Sequence, residues 1–184
     1  ITLNRPEKLN AWTQTMFTEM RGAMEQCRAD REVAAVVVTG AGRAFCSGAD
    51  IAEVFKANAD AQDRGQQREA SGPAVNWVDY VLNYPKPTIA AINGACAGIG
   101  LTQALMCDVR FAAAGAKFTT SFARRGLIAE YGIGWILPRV VGWGVAMDLL
   151  LSGRVLLAEE AAALGLVNRV VAPEELLPHA IAYA

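Results

Sequence analysis

The sequence predicts an α/β fold in which short buried strands alternate with helices. Val33 to Thr39 (VAAVVVT) is a short unbroken β-branched run, the signature of a strand covered on both faces; Thr88 to Ile92 reads as a second such strand and Val109 to Ala112 as a third strand. Segments with helical spacing of apolar residues lie between and after them. Two glycine-rich turns stand directly after the first two runs, where a backbone without side chains can come close to a ligand.

Composition sets the frame. The chain has 184 residues, 53% hydrophobic and 19% charged, with seventeen Lys and Arg against eighteen Asp and Glu. That length fits one domain with a proper core, and this apolar content excludes a disordered chain. A net charge of −1 gives no drive toward nucleic acid or an anionic membrane, so neither is an expected partner. The sequence starts at Ile1, and Leu177 to Ala184 reads as a helix cut short, so part of a longer chain is expected.

The elements follow in order. Trp12 to Ala29 carries Met16, Met20, Ala23 and Cys27 on one helical stripe, with Asn10 or Thr13 as its cap. The strand from Val33 to Thr39 runs into a loop punctuated by Gly40, Gly42 and Gly48. Residues 57–72 are polar and small and read as a solvated surface segment. Pro73 to Leu82 returns to helical patterning with Trp77 and Tyr80. A stiff Tyr84-Pro85-Lys86-Pro87 turn then precedes the Thr88 to Ile92 strand. Gly98 to Met106 reads as a helix, Val109 to Ala112 as a strand, Val145 to Ser152 and Ala158 to Leu164 as helices, and Leu166 to Val171 as a last strand.

No charge falls between Lys86 and Asp108, a length that would cross a bilayer. Pro87, Asn93, Gly94, Gly98 and Gly100 make strand, turn and buried helix the better reading. Cys27, Cys46, Cys96 and Cys107 form no CxxC pair, and His179 is the sole histidine, so no metal site is expected. Four buried thiols suit a reducing cytoplasm, which is the expected location. Cys46 has no nearby histidine to deprotonate it, which argues against a nucleophile.

Familiar glycine motifs fail. Gly98-Ile99-Gly100 meets Gln103 where a dinucleotide fingerprint needs its third glycine. Gly132-Ile133-Gly134 meets Leu137, and Gly142-Trp143-Gly144 meets Met147. There is no GxxxxGK[ST] loop and no GxSxG elbow. The two turns after strands remain: AFCSGADI (residues 44–51) and NGACAGIG (residues 93–100). If each leads into a helix, its free N–H groups favour negative charge, and two such groups on one oxygen would form an oxyanion hole.

These two stretches resemble the signature segments of the crotonase (enoyl-CoA hydratase/isomerase) superfamily. Asn4-Arg5-Pro6 with Asn10-Ala11, KPTIAAINGACAGIG, Cys107-Asp108, Ala116-Lys117-Phe118 and LPRVVGWGVAMDLLLSGRVLLAEEAAALGLVNRVV extend the likeness over essentially the whole chain. The resemblance implies a spiral of ββα units with surrounding helices, as a single core domain over residues 1–184. The N-terminal start and C-terminal helical trimerisation region would lie outside it. It further implies a homotrimer or hexamer acting on an acyl-CoA thioester in fatty acid metabolism. Coenzyme A would enter as part of the substrate, with no separate cofactor.

By register, Ala49 and Ile99 would donate their N–H groups to an enolate-like thioester oxygen, with Ile99 in place of a usual glycine. Glu7, Lys8, Leu9, Ala49, Asp50, Ile51 and Gly98 would contact substrate or its CoA, although Asp50 also reads as a helix N-cap. Asp108 reads as a structural hydrogen-bond acceptor.

The pattern breaks at the two glutamates that hydratases of this family carry. Thr102 and Phe122 stand at those positions. Glu130 is the substitute acid, and its Leu, Ile, Ala and Tyr neighbours predict desolvation that would suit it to proton transfer. Thr102 could position a water. Phe122, Tyr131, Trp135, Trp77 and Tyr80 are candidates for the acyl pocket, with core packing as their alternative. Hydration of a 2-enoyl-CoA and a shift of its double bond both remain open. A non-catalytic acyl-CoA-binding protein, or a thioester hydrolase or decarboxylase on the same scaffold, stand as alternatives.

Overall fold

The computed structural model describes residues 1–53 and 77–184, so the polar segment 57–72 and residues 73–76 lie outside the described residues. The first half of the chain forms β1 (Thr2–Leu3), α1 (Gln14–Ala29), β2 (Val36–Gly40), β3 (Ala44–Cys46), α2 (Trp77–Leu82), β4 (Thr88–Ile92), β5 (Ala95–Ala97) and α3 (Ile99–Met106). The second half adds β6 (Val109–Ala113), β7 (Lys117–Thr119), α4 (Ile133–Val141), α5 (Trp143–Ser152), β8 (Leu156–Leu157), α6 (Ala158–Ala163), β9 (Arg169–Val171) and α7 (Leu176–Tyr183).

Two sheets result. One is fully parallel in the order β1-β2-β4-β6-β9. The other runs β3-β5-β7-β8, with β8 antiparallel. Strands β2, β4 and β6 lie in the first sheet, and β3, β5 and β7, each following directly in sequence, lie in the second. Each pair therefore climbs by one strand in both sheets, which is the expected spiral of repeated units.

The apolar runs are explained by burial on two sides. Ala90 and Ile92 of β4 belong to the main core, while Ile89 and Ala91 join Phe111, Ala113, Leu176 and Ala180 beneath α7. All five β4 residues are therefore buried, and no polar face is needed. Helix α3 is buried along all eight residues, so its sequence shows no polar stripe.

Several boundaries shift. Helix α1 starts at Gln14, because Trp12 pairs with Ala49 in a parallel bridge and Thr13 caps the helix by accepting from Met16 N–H at 3.0 Å. Met16, Met20 and Met24 are its buried stripe, while Ala23 and Cys27 are half-buried. The strand expected from Val33 begins at Val36, and the last strand is only Arg169–Val171, its expected start at Leu166 and Val167 being a buried turn. Helix α5 begins two residues early, at Trp143.

Candidate active site

The second sheet brings the two glycine turns together. Cys46 on β3 and Cys96 on β5 are register partners in a parallel ladder. Three positions on from each come Ala49 and Ile99, so the two residues leave adjacent strands at the same level. Strands in a ladder lie about 4.8 Å apart, which is near enough for two N–H groups to share one oxygen.

Each N–H is left free. Trp12 donates to Gly48 O at 2.7 Å and accepts from Asp50 N–H at 2.9 Å. In a parallel bridge, groups flanking the partner residue face the strand, so Ala49 itself aims its N–H to the other side. Ile99 opens α3, where the first N–H groups have no helical acceptor. Among the described residues neither amide has a hydrogen-bond acceptor.

Two glycines make the approach possible. Gly48 has φ +110, and a Cβ there would sit 3.4 Å from Ala97 O. Gly98 has φ 52 and ψ −121, a conformation open essentially to glycine alone. Asn93 clamps the turns, accepting from Gly40 N–H at 3.1 Å and donating to Gly42 O at 2.8 Å.

A cavity of 130 Å³ opens at this point, lined among others by Gly48, Ala49, Ile51, Gly98, Ile99, Phe122 and Glu130. Ser47, Thr120, Ser121, Arg125, Leu127 and Tyr131 complete it. Glu130 is its sole carboxylate among the described residues. The desolvation expected for Glu130 is not found in this chain. Its side chain is exposed because Leu127, Ile128 and Tyr131, which flank it, are themselves exposed. A larger space of 770 Å³ lies elsewhere, between β1, α1 and residues 50–53, and holds neither turn's free amide.

The remaining candidates separate. Thr102 is fully buried, its hydroxyl donating to Gly98 O at 3.2 Å, and it does not reach the cavity. It follows that Thr102 has no open hydroxyl with which to hold a water. Glu7, Lys8 and Leu9 form and close a short 3-10 turn (Pro6–Lys8) and do not line the cavity either. Asn10 anchors that turn, accepting from Arg5 N–H at 2.8 Å and donating to Ala41 O and Ala44 O at 2.9 and 2.7 Å.

Asp50 precedes the helical turn at 51–53 and accepts from Arg5 Nη2 at 3.1 Å. That bond, with lesser help from the N–H groups of Glu53 and Ala52, holds its carboxyl below the usual range. Asp108 accepts from the Thr88 N–H and hydroxyl at 2.8 and 2.9 Å. Trp77 lies in the core, donating to Gln103 Oε1 at 2.9 Å and stacking on Tyr80. Trp135 stands exposed under the Arg139 guanidinium.

Cys46 lies close by, but burial pushes its thiol up to about 11, so it stays protonated at neutral pH. Sequence reasoning missed Ser47, Thr120, Ser121 and Arg125. The same register arithmetic that places Ala49 and Ile99 would have found Ser121, since Phe118 pairs with Cys96.

Two backbone amides and, among the described residues, one carboxylate thus line the same cavity. The enoyl-CoA hydratase/isomerase family model matches residues 1–184, and the chain belongs to that family, the crotonase superfamily, whose chemistry acts on acyl-CoA substrates. It is 40% identical over 181 residues to the 1,2-epoxyphenylacetyl-CoA isomerase of Escherichia coli, covering 96% of this chain and 67% of that one. An enoyl-CoA hydratase of Mycobacterium marinum superposes with a TM-score of 0.80 at 51% identity, over 99% of this chain and 79% of that one. A monofunctional enoyl-CoA isomerase of M. smegmatis does so with a TM-score of 0.79 at 35% identity, over 99% and 76%.

Proposed function

We propose that this chain moves the double bond of an enoyl-CoA through an enolate held by the Ala49 and Ile99 N–H groups, with Glu130 carrying the proton. The observation that supports this most is that Glu130 is, among the described residues, the one carboxylate lining the cavity, while the two usual acid positions hold Thr102 and Phe122. For a 3-enoyl-CoA, the Glu130 carboxylate takes a proton from C2. The electron pair spreads into a dienolate whose oxygen the two amides stabilise. The same proton then returns to C4, leaving the 2-enoyl thioester. One acid suffices for this cycle, since it ends in the state in which it began.

Hydration is the second reading, and the M. marinum relative's name favours it. It needs a group to orient water besides the acid, and Thr102 is committed to Gly98 O. Exposed Leu127 and Tyr131, which line the cavity, with exposed Ile128, Trp135 and Trp143, support assembly into trimers or hexamers that cover them. Four free cysteines support a cytoplasmic setting.

The test is an assay of 2-enoyl and 3-enoyl thioesters of graded length, with wild type and Glu130→Gln, scored for bond shift and for water addition. Glu130→Gln is expected to lower turnover about 10²- to 10⁴-fold. Full turnover by that variant removes Glu130 from the chemistry, and water addition outrunning bond shift replaces this reading with the second.

A further inference from the structure

The ladder that aligns the two amides has a third rung. Cys96 pairs with Phe118 and Ala97 with Thr119, and Gly98 N–H donates to Thr119 O at 3.0 Å. Three positions beyond Phe118 stands Ser121. Ala49, Ile99 and Ser121 therefore leave β3, β5 and β7 at one level, and all three line the cavity.

Ser121 has φ 61, an unusual backbone for a residue with a Cβ, costing about 1–2 kcal/mol over the right-handed form. A local network keeps it there. Its N–H donates to Thr119 Oγ1 at 3.2 Å, and Thr119 in turn donates its own proton to Gly153 O at 2.9 Å. Since Thr119 Oγ1 has given its proton away, it can only accept from the Ser121 hydroxyl, at 3.3 Å. That is a long bond for two hydroxyls, so the Ser121 proton is easily redirected. The neighbouring Thr120 hydroxyl is unavailable, donating to Leu149 O at 2.7 Å.

We infer that Ser121 is a third donor to the substrate oxygen: its hydroxyl turns from Thr119 to the thioester oxygen as that atom takes on negative charge. This rests on the oxyanion reading above. No covalent bond to Ser121 forms, and its proton stays on Oγ throughout. The hydroxyl contributes most in the enolate, so its loss should reach kcat more than KM.

Ser121→Gly is the informative variant, because it removes the hydroxyl yet suits a left-handed backbone. It should melt no lower than wild type, while Ser121→Ala keeps the strain. Acetoacetyl-CoA serves as the probe, since its bound enolate absorbs in the near ultraviolet. Wild type should hold the enolate at neutral pH. Ser121→Gly should need a pH about one unit higher for half ionisation and show about tenfold lower kcat, with KM nearly unchanged. Ionisation and turnover equal to wild type in Ser121→Gly would overturn the third donor alone. A wild-type protein that binds the probe without ionising it would refute the oxyanion reading, and this inference with it.

Discussion

Cys46 and Cys96 are partners across β3 and β5, and that pairing sets the level at which Ala49 and Ile99, three residues on from each, leave the two strands. Neither thiol takes part in the chemistry. Both are fully buried, and their strands are only three residues long, so the register depends on packing rather than on a long ladder. Gly100 packs directly on this pairing, since a Cβ there would lie 2.3 Å from Cys46 O and 2.9 Å from Cys46 Sγ.

Gly100→Ala and Gly98→Ala should therefore fail differently. In Gly100→Ala the new methyl meets backbone, so β3 must move, at a cost of about 1–3 kcal/mol and with loss of the shared amide geometry. In Gly98→Ala a Cβ has room, its nearest neighbours being 3.8 and 3.9 Å away, and the strain comes from φ 52 instead. Urea denaturation should show both destabilised. Enolate ionisation of bound acetoacetyl-CoA should fall in both, which would separate them from a substitution that only lowers stability.

Asn10 invites a prediction about the loop at residues 4–11. It is fully buried at φ 54, and its amide satisfies the Arg5 N–H and two carbonyls, those of Ala41 and Ala44. Asn10→Ala takes that partner from the Arg5 N–H and Ala41 O, while Ala44 O keeps the bond from Asn93 Nδ2 at 3.3 Å. One such group costs about 1–3 kcal/mol, so the loss should reach the upper end of that range or beyond, read as a lowered urea midpoint at unchanged slope.

The Arg5–Asp50 pair gives the chain a specific acid sensitivity. Asp50 has its carboxyl held down in the folded state, chiefly by the bond from Arg5. A depressed folded value means the stabilisation is complete above the ordinary carboxylate range and is lost as pH falls through the lower, folded value. Urea midpoints measured from pH 6 down to pH 2.5 should thus fall for wild type, and fall less for Asp50→Asn. Equal slopes for the two proteins would remove Asp50 from the acid response.

How much of this was legible depended on length and on side-chain contrast. Thr88 to Ile92 was readable because both faces are buried and every residue is apolar or bonded. The strands β3 and β5 were not, because Ala44–Cys46 and Ala95–Ala97 are too short to show a period and sit among glycines that read as turns. Helix α4 was hidden by Pro138 within it and by Gly132 and Gly142 at its ends. Trp12 reads as helix by spacing, yet a bridge to Ala49 outcompetes that tendency. At the site, glycine turns disclosed the amides, but the exposure of Glu130 depends on which side chains cover residues 127–131, and no local pattern records that.

The four cysteines give the sharpest check on the core around the site. Burial pushes Cys46 to about 11 and Cys107 to about 12, and it raises Cys96 as well. At pH 8 a thiol near 11 is ionised to only about one part in a thousand, and all three are shielded besides. Cys27 alone is half-exposed, at the end of α1. Labelling of native protein with a chromogenic disulfide at pH 8 should therefore yield one reacting thiol, and denatured protein four. Protection of the other three should last as long as the fold does, so their rate should rise in Gly100→Ala in step with its lost stability. Cys46 or Cys96 reacting in native protein as fast as Cys27 would mean that β3 and β5 open readily, and would remove the register that the proposed pairing of Ala49 with Ile99 needs.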